Sequence, residues 1–158
     1  MLVYDATTFT VLNSLLAFGV PVPYAISVSY DDDVIAAGAG AGTFPQFFLH
    51  DAVNSGIING ALAFGVGFFG GIDVGLGNGK VLVAAGPGGV PQVLVYDQQT
   101  LELENTLLAF DPFFTGGVRV DIDDAAAVPE PALGMVLGFG LVARLVRQRR
   151  GGRRGVTS

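Results

Sequence analysis

The sequence predicts an all-β chain in which one small antiparallel sheet recurs, and three observations carry that reading. Short apolar runs rich in valine and phenylalanine are punctuated by 24 glycines and 8 prolines, with few strong helix formers. Tyr4-Asp5, His50-Asp51 and Tyr96-Asp97 recur every 46 residues, as do Ala17-Phe18, Ala63-Phe64 and Ala109-Phe110. Pro45-Gln46 and Pro91-Gln92 repeat the same interval.

Each element follows from cutting the repeat at its glycines. In the most regular copy the pieces are "GIDVGL" from Gly71, "KVLVAAG" from Lys80, "QVLVYD" from Gln92 and "ENTLLAF" from Glu104. Four short strands joined by turns at a period in the forties match the blade of a β-propeller. Two complete blades are expected, Ala25 to about Phe64 and Gly71 to Phe110. They are flanked by N-terminal strands "MLVYD" and "SLLAF" and by one C-terminal strand, "GVRVDI". Propellers close with four blades or more, so this is a partial one with exposed edges, unless the flanking strands share a blade. "AAG" at Ala36 and at Ala84 is offset by 48 residues, which predicts a two-residue length change in one turn, undone in the next. Gly116-Gly117 and Gly70-Gly71 open the first strand of a blade, where missing side chains let the backbone turn tightly against its neighbour. In the first copy Tyr24-Ala25 stands at that place.

Charge divides the chain. The net charge is −6, but six of the eight basic residues lie between Arg144 and Arg154, and all fourteen acidic residues precede Ala132. The acidic body should repel phosphate backbones, which excludes nucleic acid as its partner. The absence of cysteine excludes disulfides and thiolate metal sites. "MLVYDATTF" has neither the basic region nor the long apolar region of a signal peptide.

The phrases "FDPFFTGGVRV", "VLVAAGPGGVPQVLVYD" and "FPQFFLHD" resemble the FG-GAP (integrin-α-like) propeller repeats of secreted bacterial proteins. The resemblance covers residues 1–124, with copies near 2–46, 48–92 and 94–124. It implies a binding or scaffolding role, toward polysaccharide or surface proteins. It also implies a calcium loop between the first and second strands of each blade. Calcium needs several oxygen ligands in one loop. The matching places read "SYDDD", "GLGNGK" and "DIDDAAA". The second has no carboxylate, the first is two residues short, and the third runs into a linker. A solvated acidic turn is therefore the preferred reading, with Asp31, Asp33, Asp121, Asp123 and Asp124 as the residues that would hold calcium.

After Asp124 the composition changes. A linker over 125–131 contains Pro129-Glu130-Pro131, an apolar segment covers 132–146, and a basic tail covers 147–158. This order resembles the PEP-CTERM sorting signal, the tag recognised by bacterial exosortase. The resemblance implies Pro129, Glu130 and Pro131 as the sorting motif, and Arg147, Arg149 and Arg150 as a membrane-topology anchor that keeps the tail cytoplasmic. The fifteen residues 132–146 make a hydrophobic helix of about 22 Å against about 30 Å of hydrocarbon, so Arg144 within them would snorkel. An amphipathic or disordered basic tail is the plain alternative. The body would then lie in the bacterial envelope, or be released to the extracellular matrix. Export needs a signal that this sequence does not show, so a fragment of a longer surface protein is expected, or a truncated gene remnant.

Catalysis is not expected, and a fragment of a propeller hydrolase or lyase is the less favoured alternative. His50 is the only histidine and aligns with Tyr4 and Tyr96, which marks a structural strand-end position. No nucleophile elbow accompanies it. "GLGNGK" has Val74 and Val81 where a phosphate loop needs glycine and a hydroxyl. Asp5, Asp51 and Asp97 suit a turn in which the side chain bonds the following backbone. Glu102 and Glu104 should share a solvent face, and Phe110, Phe113 and Phe114 should pack between blades.

Overall fold

The computed structural model describes residues 1–19 and 24–122. The apolar segment, the sorting motif, the arginine anchor, Asp123 and Asp124 all lie outside the described residues.

All described secondary structure is β. Strands β1 (Leu2–Tyr4) and β2 (Val11–Ser14) form a two-stranded antiparallel sheet. Strands β3 (Ile26–Asp31), β4 (Val34–Ala39), β5 (Gln46–Asp51) and β6 (Ile57–Leu62) pair antiparallel in chain order. Strands β7 (Ile72–Gly77), β8 (Lys80–Ala85), β9 (Gln92–Asp97) and β10 (Leu103–Leu108) do the same. Every strand of the third sheet begins 46 residues after its counterpart in the second. That includes β4 and β8, at Val34 and Lys80, so the offset of 48 between the two "AAG" phrases reflects no change in turn length. The true counterpart of Ala85-Gly86 is Ala39-Gly40, where each strand ends.

The turns explain why the strands stop where they do. Asp32 and Asp33 between β3 and β4, and Asn78 and Gly79 between β7 and β8, all have positive φ. Two such residues in succession form the tight hairpin whose twist matches the strands. Between β5 and β6, and between β9 and β10, the loops are held by Asp51 and Asp97. Each carboxylate accepts two backbone N–H groups, from Val53 and Asn54 and from Gln99 and Thr100. Asp5 does the same for Thr7 and Thr8 between β1 and β2. Phe9, Ser55 and Leu101, at equivalent places in these three loops, share a left-handed conformation.

Two flanking elements differ from expectation. The second N-terminal strand is Val11–Ser14; the apolar "LLAF" that follows is not strand, and it turns Leu15 and Ala17 inward as buried residues. Residues 117–122 form no ladder. They run instead along β7, with Val118 buried and its N–H on the Ala85 carbonyl. The flanking elements also do not share a sheet, since β1 pairs only with β2 among the described residues.

The core is the interface between the two four-stranded sheets. Ala36, Phe47 and Leu49 from one face of the second sheet meet Val81, Val83, Leu94 and Tyr96 from the facing side of the third. Alternation decides this: on each strand every other residue points across the gap. A smaller cluster of Leu15, Ile35 and Ala52 lies under the N-terminal hairpin. On the far side of the third sheet Ala84 and Val93 pack with Val118.

Candidate functional site

The innermost strands line a concavity. β3, β7 and the 117–122 segment enter it at equivalent points, together with the turns after β4 and β8. The cleft holds about 620 Å³, lined chiefly by Ala25–Val28, Gly70–Asp73 and Gly116–Arg119. Glycine is required at its rim. Gly71 and Gly117 have φ of 78° and 85°, and a Cβ on Gly71 would lie 2.5 Å from the Ala41 nitrogen. On Gly117 it would lie 2.8 Å from the Pro87 nitrogen. At the same two junctions the Gly42 N–H reaches the Phe69 carbonyl and the Gly88 N–H reaches that of Thr115, each at 2.9 Å.

The floor of the cleft carries a polar chain across the sheets. Ser27 Oγ donates to Asp73 Oδ1 at 2.6 Å and accepts the Val74 N–H at 3.1 Å. Asp73 Oδ2 then accepts the Val120 N–H at 2.9 Å. Ser29 Oγ accepts the Leu76 N–H at 2.9 Å. Ser27, Asp73 and Arg119 occupy one position of three successive units. The first two use their side chains to hold the next unit's backbone; Arg119 is exposed. The inventory is one carboxylate already committed to two donors, one guanidinium, hydroxyls and backbone groups. It can bind polar ligands by hydrogen bonds, and its Ser27 hydroxyl and Asp73 carboxylate are both engaged in the bridge between strands.

Of the calcium candidates, Asp31, Asp33 and Asp121 lie among the described residues. Asp31 ends β3 opposite Val34, and Asp33 lies in the two-residue reversal, where its Oδ1 accepts from the Tyr30 hydroxyl at 3.2 Å. A reversal that tight leaves no loop to wrap a cation. Asp121 Oδ1 accepts the N–H of Ile122. Among the described residues no three carboxylates or histidines gather as a metal site.

His50 is buried, and its Nε2 bonds the Ala17 carbonyl at 3.0 Å. A carbonyl only accepts, so that nitrogen carries the proton, and Nδ1 has no protein partner. Glu102 and Glu104 are both exposed, and Glu104 Oε1 accepts from Lys80 Nζ at 2.7 Å, while Asp97 stands 3.6 Å from the same ammonium. The Glu104 hydrogen bond leads the effects that raise the Lys80 pKa. Phe110 and Phe114 contact each other with ring centroids 4.8 Å apart, but both are exposed, as is Phe113.

The Ser27–Asp73 bridge was not singled out from sequence. Its signal was available in the 46-residue spacing of Ser27, Asp73 and Arg119, three polar residues at one place in the first strands.

Comparison with protein-family models, characterised proteins and solved structures gives no match. Among the described residues no helix is long and apolar enough to cross a membrane.

Proposed function

We propose that this chain is a non-catalytic, surface-sorted binding or scaffolding protein of the bacterial envelope or exopolysaccharide matrix, built as part of a β-propeller. The observation that carries the reading is the pair of four-stranded meanders of identical strand order, 46 residues apart, stacked with β3 beside β7. Adjacent innermost strands around a shared cleft are what successive propeller blades require. The polar cleft between those strands is the binding surface in this reading. Burial of the sole histidine against a backbone carbonyl supports a structural role for it and a role without catalysis for the protein.

The sorting half rests on the sequence order of Pro129-Glu130-Pro131, the apolar segment and the arginine cluster. Exosortase is the partner it implies, with the arginines holding the tail on the cytoplasmic side until cleavage. The test is expression of the full chain behind a signal peptide in a host with and without exosortase, read by intact mass. Loss of the residues after the motif only where the enzyme is present, abolished by Glu130→Ala, is the expected result. An uncut chain in both hosts overturns the sorting assignment.

A further inference from the structure

The two ends of the sheet stack carry the two halves of the interface that the chain already makes once inside itself. Leu94, Tyr96 and Leu101 of the third sheet pack into the core against the second sheet. Their counterparts 92 residues earlier are Leu2, Tyr4 and Phe9 on the N-terminal hairpin, and all three are exposed; Leu2 is 52 % accessible where Leu94 is 5 %. Val28 and Tyr30 of β3 repeat the contrast: Val28 is 47 % accessible and its counterpart Val74 is 3 %.

At the opposite end the receiving half is repeated as well. Phe64 and Phe68 form an edge-to-face pair, with ring centroids 5.6 Å apart, packed against the inter-sheet core. Phe110 and Phe114 form the corresponding pair 46 residues later, and nothing described covers them. Leu107, the counterpart of the core-facing Ala61, is exposed on the same side. Only the inner part of that face is covered, by Val118 and Val120.

We propose that the chain self-associates head to tail: the outer face of the β1–β2 hairpin and β3 of one copy docks on the Leu107, Phe110 and Phe114 face of the next. The occupant is a second copy because the missing complement to each end is present on the other end of the same chain. One chain cannot join its own ends, since two stacked sheets separate them. The fit is mutual. The 117–122 segment of one copy covers the inner part of the junction, where it meets Val28 and Tyr30 of the next. The hairpin of that next copy fills the outer part. Such a contact is heterologous, so it extends into a chain of copies or closes into a ring. The inference uses only the stacked sheets and holds whether or not the protein is sorted to a surface.

The test is the mass of the full chain in nonionic detergent, which keeps the 132–146 segment from associating, by light scattering across a wide concentration range. Dimers or larger species are expected, against 16.3 kDa for one copy. The double variant Tyr4→Asp/Phe9→Asp and the double variant Phe110→Asp/Phe114→Asp should each be monomeric. Mixed in equal amounts they should form a one-to-one pair, because each retains the half the other lost. A monomeric wild type overturns the proposal, as does unchanged association of either variant or a mixture that stays monomeric. Circular dichroism confirms that each variant is folded. Should one fail, the absence of native cysteine allows wild-type-like chains carrying Tyr4→Cys or Val95→Cys to be mixed and joined with a short bismaleimide. A mixed cross-link is expected, and its absence again overturns the contact.

Discussion

Ser27 donates its hydroxyl to Asp73 at 2.6 Å, and through this bond the innermost strands of two sheets share one hydrogen-bonding system. The Ser27 oxygen holds the Val74 N–H and the Asp73 carboxylate holds the Val120 N–H, so each unit grips the next by the same backbone position. Adjacent first strands at the centre of the stack make no ladder with one another, and side chains supply the missing acceptors.

Replacing Ser27 with alanine therefore removes an acceptor from the Val74 N–H and a donor from Asp73 at once. Unsatisfied groups of this kind cost about 1–3 kcal/mol in a partly buried setting. Urea unfolding of Ser27→Ala should show a loss in that range. Ser27→Thr, which keeps the hydroxyl, should recover most of it. Equal stability of the alanine variant and wild type would show that water replaces the bridge.

Stability should also fall on acidification, through the three loop aspartates. Backbone N–H groups of Asn54, and then of Val53, help hold the Asp51 carboxyl below its usual 3.8. Thr100 and Gln99 do the same for Asp97, and Thr8 and Thr7 for Asp5. A pKa depressed by folding contributes stability above the unfolded value. That contribution is lost as pH falls through the folded one. The decline should begin near pH 4 and continue below it. Asp51→Asn keeps an acceptor for the two N–H groups but no longer titrates. Its unfolding midpoint should change less than that of wild type between about pH 5 and pH 2.5.

The regular elements were legible because their residues report period and punctuation together. "QVLVYD" alternates, ends in an aspartate suited to a turn, and occupies β9 from Gln92 to Asp97. Where local pattern and pairing part company, the reading went astray. "LLAF" is as apolar as any strand, yet it lies beyond the end of β2, where Leu15 packs with Ile35 and Ala52 and the buried Ala17 meets His50 through its carbonyl. "GVRVDI" alternates well and still forms no ladder, since it lies along β7 with the Asp73 side chain, and not a backbone carbonyl, accepting the Val120 N–H. The Ser27–Asp73 bridge was hidden for a further reason. Sequence shows that a polar residue recurs, but not that two sheets bring those side chains within hydrogen-bonding reach.

His50 is the polar exception in an apolar interior, fixed by one bond to the Ala17 carbonyl. His50→Ala would leave that carbonyl unpaired and open a cavity beside Phe48, whose ring centroid lies 6.4 Å from the imidazole. The two effects together should cost about 2–4 kcal/mol. The loss should appear as a lower thermal midpoint with an unchanged far-ultraviolet spectrum. A loss under about 0.5 kcal/mol would place His50 outside the cooperative core.

Two glycines separate backbone need from mere frequency. Gly71 has positive φ, and a methyl group there would collide with the backbone of Gly40 and Ala41 in the preceding sheet. Neither the conformation nor the neighbour can yield cheaply: the left-handed region alone costs a side-chain-bearing residue about 1–3 kcal/mol, and the clash is with main chain. Gly56 has no atom within 4 Å of an added Cβ, and its φ is not positive. Gly56→Ala should accordingly be neutral or stabilise by about 0.4–1 kcal/mol through the unfolded chain, while Gly71→Ala should destabilise by at least about 2 kcal/mol. Parallel denaturant titrations of the two variants would measure the contrast. Equal effects would mean that the close approach of the two sheets at Gly71 does not hold in solution.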